Sequence, residues 1–282
     1  MSTKISVVTP SYNHARYIDD CLSSVHYQSV PAHEHLILDD GSTDNSADRV
    51  RRHPGNAQLC EQENAGLATT LNRLLARASG DWIGWLNSDD FYLEDAFANV
   101  TRLMEQEPGL DLIVGDSVFV DAQARVLRLL PAHPITRAVT IHYGMTAAPS
   151  SFFVRRSSLE EIGFREDTEF LMDKWLFAEL IEHGASRRHI HTPLGAMRRH
   201  EGQVSANASG CTGDEERRAF RARWNAPIDG FGRRLSRSYG RSLHAALKAA
   251  TGGYFRELRW RQRRGQDARW WTVPTAQPFA PE

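Results

Sequence analysis

The first ninety residues switch between a strand period and a helix period four times, and this alternation restricts the fold more than any other feature of the chain. Ile5-Ser6-Val7-Val8-Thr9 reads as a buried strand closing at Pro10. Tyr17, Ile18, Cys21, Leu22 and Val25 then recur at helical spacing behind a cap at Asn13. A second strand, His35-Leu36-Ile37-Leu38, ends in Asp39-Asp40-Gly41, and Ser42-Thr43-Asp44 offers caps for the next helix. Ala57 to Glu61 forms a third strand. Asn64-Ala65-Gly66 opens a helix with Leu67, Leu71, Leu74, Leu75 and Ala78 on one side, stopped by Gly80, and Asp81 to Leu86 forms the fourth strand. The pattern predicts an α/β fold with a mostly parallel central sheet and helices on both faces. Ligands of such sheets sit beyond the carboxyl ends of the strands. The polar clusters Thr9-Pro10-Ser11-Tyr12, Asp39-Asp40-Gly41-Ser42 and Asn87-Ser88-Asp89-Asp90 all fall at those ends.

The remainder reads as a helix near 93–106, a hairpin over 112–130, an irregular loop over 131–148, a strand at 150–154 and helices at 157–162 and 172–183. A strand and loop at 186–198 and mainly helical segments from about 213 complete it. Charge separates the last part from the rest. Residues 212–282 carry 15 Lys and Arg against seven Asp and Glu, a balance of +8, while the first 211 residues carry 19 against 28, a balance of −9. An acidic body with a basic tail suggests a docking surface for something anionic. The expected division is 1–210 as the main domain, its halves meeting near residue 100, and 211–282 as a basic helical extension. No apolar run approaches the roughly 18 residues of a membrane span, no signal peptide precedes the first strand, and the three cysteines form no CxxC pair, so a cytoplasmic setting is expected.

Neither GxGxxG after the first strand nor GxxxxGK[ST] occurs, which removes the dinucleotide fingerprint and the P-loop. A strand-end carboxylate such as Asp40 can instead accept an N–H from a base; the alternative is that Asp39 and Asp40 only cap the next helix. Asp89-Asp90 carries more information. Two carboxylates about 4 Å apart repel by about 1 kcal/mol even in water, and a divalent cation removes that cost while creating a diphosphate site. The alternative is a solvated turn.

The segments 5–13, 38–44, 63–66 and 80–90 together resemble the family 2 inverting glycosyltransferases of GT-A fold, strongly over residues 4–95 and more weakly to about 205. The resemblance implies a nucleotide diphosphate sugar donor, a saccharide or lipid-linked acceptor, a divalent cation (Mn²⁺ or Mg²⁺) and a role in surface polysaccharide or glycolipid assembly. It implies that Thr9, Pro10 and Tyr12 line the base and ribose pocket, that Asp40 holds the base, and that Asn64 and Gly66 close over the nucleotide. By the same resemblance Asp89 faces the ribose and Asp90 the metal. Phe170-Leu171-Met172-Asp173-Lys174-Trp175 is similar to the segment whose Asp is the general base, with Glu169 in reserve. Arg198-Arg199-His200 with Ser205 is similar to a stretch in which His200 completes the metal shell and Arg198 or Arg199 pairs with phosphate. The basic tail with its aromatics admits a solvated helical face, peripheral contact with the inner membrane face, or nucleic acid; the last is not expected, because no binding motif accompanies the charge. Rival readings of the whole are a nucleotidyltransferase and a non-catalytic nucleotide-sugar or polyanion binding module.

Overall fold

The apolar runs of the first ninety residues pair as parallel strands. In the computed structural model, which describes residues 3–144, 147–203, 211–228 and 230–271, β1 (Ile5–Ser11) lies between β2 (Glu34–Asp39) and β4 (Trp82–Trp85), with β3 (Ala57–Glu61) outside β2. β1 is buried along its whole length, as a strand covered on both faces must be. Ile5 and Val7 pack with α1 (Ile18–His26) and α4 (Ala96–Gln106). Val8 turns to the opposite face, against α3 (Leu67–Arg77) and α7 (Met172–Glu182). The short α2 (Ser46–Arg52) flanks β3.

Beyond β4 the sheet becomes mixed. β8 (Phe152–Arg155) runs antiparallel between β4 and β6 (Leu112–Val120). β6 pairs parallel with the long β9 (Arg187–Arg198) and antiparallel with β7 (Val126–Leu130), and β5 (Phe91–Tyr92) meets the end of β9. The expected parallel order therefore holds for the first four strands. The hairpin joining β6 to β7 needs no crossover helix, which is why the second half departs from it.

One local expectation fails. Asn13 does not cap α1: it sits at φ 53° and its Oδ1 accepts the Thr43 N–H at 2.8 Å, while its own N–H donates to Ser42 Oγ at 2.9 Å. The loops after β1 and β2 are neighbours because the strands are, and Asn tolerates the left-handed conformation that joins them. Residues 149–151 also form a single 3-10 turn before β8 rather than its first residues.

The charge break near 211 is not a break in packing. α8 (Cys211–Arg223) buries Phe220, and Trp224 follows it, against Trp175 of α7 and Ile141 of α5 (Arg137–His142). α9 (Gly230–Ala250) lies on α5, with His142 Nδ1 2.7 Å from Ser236 Oγ, His133 Nε2 2.8 Å from His244 Nδ1, and the Tyr143 ring stacked on His244. α10 (Gly253–Arg261) sends Arg256 to the buried Asp116, and α6 (Arg156–Ile162) packs beside α7. Among the described residues no helix is long and apolar enough to cross a membrane.

Gly240 is the contact point of α9 with α5. A Cβ there would lie 2.6–2.8 Å from the backbone of His142 and Tyr143, which cannot yield as a side-chain tip would. Gly240→Ala is expected to cost about 1–3 kcal/mol despite its better helix propensity. Thermal melts against Ser238→Ala, an exposed control on the same helix, measure this.

Candidate active site

Two acidic loops are built at the carboxyl ends of the parallel strands. At the end of β2, Asp39 accepts the N–H and hydroxyl of Ser42 at 2.8 and 2.7 Å. Asp40 accepts Gln62 Nε2 at 2.7 Å and the N–H groups of Ala65 and Gly66 at 2.8 and 3.0 Å. Gly41 makes this arrangement possible: its φ is 78°, and a Cβ would stand 2.9 Å from the Asn64 nitrogen. Asp40, expected to hold a base, here holds the 62–66 loop; Asn64 and Gly66 are exposed along that loop. Thr9 is buried with its hydroxyl 2.9 Å from His35 Nε2, a ring whose burial lowers its pKa to about 3, so Thr9 faces the sheet interior. Pro10 is buried and Tyr12 is exposed at the lip of the site. The Ser11 hydroxyl, at the end of β1, is buried and finds no partner among the described residues.

The loop after β4 divides its two carboxylates between different tasks. Asp90, 1% exposed, accepts the Arg198 N–H at 2.8 Å; burial and the adjacent Asp89 charge push its pKa well up, against the pull of Arg198. Asp89 is buried too, which alone would raise it. A hydrogen bond from His200 Nε2 at 3.0 Å and the nearby His14 outweigh that and hold it below the ordinary range. Asp89 is thus the ionised member. Asp90, expected to face the metal, holds the β9 backbone through its Oδ1. Asp89 instead shares a cluster with His14 and His200, whose ligand atoms lie within 4.8 Å of one another. His14 Nδ1 is 2.7 Å from Ser88 Oγ, and burial lowers its pKa, favouring the neutral imidazole that binds metals.

Arg198 locks the loop in place and does not pair with phosphate. It is 1% exposed, and donates to the Asp89 carbonyl at 2.8 Å, the Ala122 carbonyl at 3.1 Å and Asp20 Oδ2 at 2.7 Å, with the Tyr17 ring 4.8 Å below. Arg199 is exposed and lies over Phe119. Ser205 falls outside the described residues.

Asp173 stands apart from this hydrogen-bond network, in the first turn of α7. The Ser186 carbonyl accepts the N–H groups of Asp111 and Leu112, fixing the exit of α7 at the edge where β6 begins. Eleven helical residues span about 16 Å, so Asp173 lies that far along α7 from its exit. Burial raises the Asp173 carboxyl to about 6, against a 2.7 Å hydrogen bond from the Lys174 N–H. Lys174 is lowered to about 8 by burial and by Arg221, and its ammonium lies 4.1 Å from the Phe220 ring. The loop before α7 is held from outside. Glu216 of α8 accepts the N–H of Glu169 at 2.7 Å, of Phe170 at 3.0 Å and of Leu171 at 3.1 Å. A carboxylate at a helix N-terminus satisfies donors that have no partner within the helix.

Sequence reading missed His14 and Glu216. His14 had a signal, a histidine in a strand-end loop at the expected ligand edge. Glu216 had none, because a cap donated from a distant helix leaves no local pattern.

A carboxylate and two imidazoles thus stand together at the strand ends of an open α/β sheet. The chain belongs to Glycosyl transferase family 2, whose family profile matches residues 6–163. TuaG of Bacillus subtilis, a glycosyltransferase named for teichuronic acid biosynthesis, is 39% identical over 104 residues, which is 36% of this chain and 41% of that protein. The chain thus matches less than half of that relative's length. Among solved structures, S. aureus TarS 1–349 in complex with UDP-GlcNAc superposes with a TM-score of 0.60 at 19% identity, over 77% of this chain and 64% of that one. The mannosyltransferase PcManGT from Pyrobaculum calidifontis, in complex with GDP-Man and Mn²⁺, gives 0.61 at 18% identity, over 89% and 76%. These likenesses show a GT-A-like fold.

Removing the Glu216 carboxylate leaves three adjacent N–H groups without their acceptor. Glu216→Ala is expected to lose about 3 kcal/mol and Glu216→Gln, which keeps one acceptor oxygen, about half of that. Denaturant unfolding of the two variants checks the order.

Proposed function

We propose that the chain transfers a sugar, with inversion at the anomeric carbon, from a nucleoside diphosphate sugar to a hydroxyl of a saccharide or lipid-linked acceptor in polysaccharide assembly. The observation that carries the reading is the strand-end cluster of His14, Asp89 and His200. One carboxylate and two imidazoles suit Mn²⁺ better than Mg²⁺, which prefers an all-oxygen shell. The Mn²⁺ bound by PcManGT is in keeping with a metal at this edge. Bound there, the cation would neutralise charge on the departing diphosphate.

The residues themselves do the rest. Asp90 and Arg198 keep the Asp89 loop rigid, so the site needs little rearrangement when charge develops. The loop carrying Asn64 and Gly66, held by Asp40, stands where it can cover the donor. Asp173 is the proposed general base, taking the acceptor hydroxyl proton at its carboxylate as that oxygen attacks. A base with a pKa of about 6 is ionised at neutral pH and a better proton acceptor than an ordinary aspartate.

Asp173→Asn is expected to lower turnover by at least about 10²-fold while leaving nucleotide binding unchanged. The wild-type rate should rise with pH and level off above about 6. Stability follows the opposite sign. A folded pKa above the unfolded value of 3.8 means that folding is progressively weakened as pH rises from 3.8 through about 6. Asp173→Asn should therefore be more stable than wild type by about 2 kcal/mol at neutral pH, with the gap closing in acid. Full activity in Asp173→Asn would remove it as the base.

Metal binding gives an independent check. Calorimetric titration with MnCl₂ should show a single site weakened by about 10²-fold or more in His14→Ala and in Asp89→Asn. MgCl₂ should bind more weakly than MnCl₂. Unchanged Mn²⁺ affinity in both variants would put the cation elsewhere.

A further inference from the structure

α9 is a helix with two faces that differ in chemistry: among the described residues one packs on α5, and the other is largely exposed apart from an edge-on contact of Tyr239 with His142 at 5.6 Å. Ser236 and Gly240 are buried against α5. On another side Phe231, Leu235 and Tyr239 follow at i, i+4 and i+8, which places them in one line, and they are 73%, 54% and 55% exposed. Arg234, Arg237 and Arg241, all exposed, form a second row on another side of the helix, with Arg234 nearest the apolar line. Over its 21 residues α9 carries four arginines and one lysine and no Asp or Glu. α10 repeats the arrangement: Arg256 is drawn inward to Asp116, while Phe255 and Leu258 are 75% and 57% exposed and Arg259 lies on their border. Large exposed apolar side chains beside cations are costly to leave in water and are the composition of a helix that lies in a lipid interface.

We infer that the outer face of α9 and α10 is a docking surface for an anionic lipid bilayer, with the aromatic and leucine side chains entering the headgroup boundary and the arginines meeting lipid phosphates. Charge complementarity selects this occupant. A second copy meeting the same face two-fold would bring arginine patch against arginine patch, which is unfavourable. Single-stranded nucleic acid would use flat rings for stacking in a groove, whereas Leu235 and Leu258 offer no such platform. Peripheral contact of this kind needs no spanning helix, in agreement with the helices described. The inference does not depend on the identity of the transferred sugar or of the base.

The test is flotation of the full chain with vesicles of phosphatidylcholine alone and of phosphatidylcholine with about 30% phosphatidylglycerol. Binding is expected only to the anionic vesicles and should weaken as salt is raised. Replacing Arg234, Arg237 and Arg241 together with Ala should weaken it by about 100-fold. A triple variant with Phe231→Ser, Leu235→Ser and Phe255→Ser should weaken it by a similar factor with an unchanged melting curve, since all three side chains are exposed. Three results would overturn the inference: no vesicle binding by the wild-type chain, equal binding to neutral vesicles, or anionic binding that survives both triple variants. Two further results would replace it. A dimer in light scattering that the serine variant dissociates, with vesicles ignored, would assign the face to self-association; binding of polyuridylate in preference to vesicles would assign it to nucleic acid.

Discussion

A single guanidinium sealed inside the protein underlies the site. Arg198 reaches the Asp89 carbonyl, the Ala122 carbonyl and the Asp20 carboxylate, and its own N–H meets Asp90. An arginine withdrawn from water is tolerable only when its donors are paired in good geometry, and breaking such a set costs several kcal/mol. The consequence is positional: the end of β9 and the loop after β4 are fixed to each other and, through Asp20, to α1. The sheet must bend and pair as it does for these three segments to meet. The mixed second half of the sheet is part of the same requirement, because only a β9 running parallel to β6 delivers His200 to the ligand edge.

That clamp explains why two adjacent aspartates differ so much. Asp90 gives its oxygen to the backbone of Arg198, while Asp89 is turned toward two imidazoles. Proximity in sequence says nothing about which partners each neighbour will find.

The parallel half of the fold was legible in the sequence because hydrophobic period is a local property: Val7 and Val8, or Trp82 and Trp85, announce opposite faces by spacing alone. The strand-end acids were legible for the same reason. What could not be read was every feature that rests on contacts between distant segments. Asn13 looks like a cap until the β2 loop competes for it. Arg198 looks like a phosphate ligand until its burial is known. The tasks of Asp40 and Asp90 depend on whether the 65–66 and 198 backbones arrive as donors. Glu216 belongs to the same group, since its three N–H partners lie 45–47 residues away.

The grip of Glu216 on residues 169–171 bears on how such a chain can diversify. A tail that merely trailed from a finished enzyme could be exchanged between relatives as a cassette, carrying a new address with it. Here the first helix of that tail is built into the scaffold under Asp173, through Glu216, Phe220 and Trp224. Recombination at the charge boundary would remove the support of residues 169–171, and the helices after α8 are tied in as well, through Gly240 on α5 and Arg256 on Asp116.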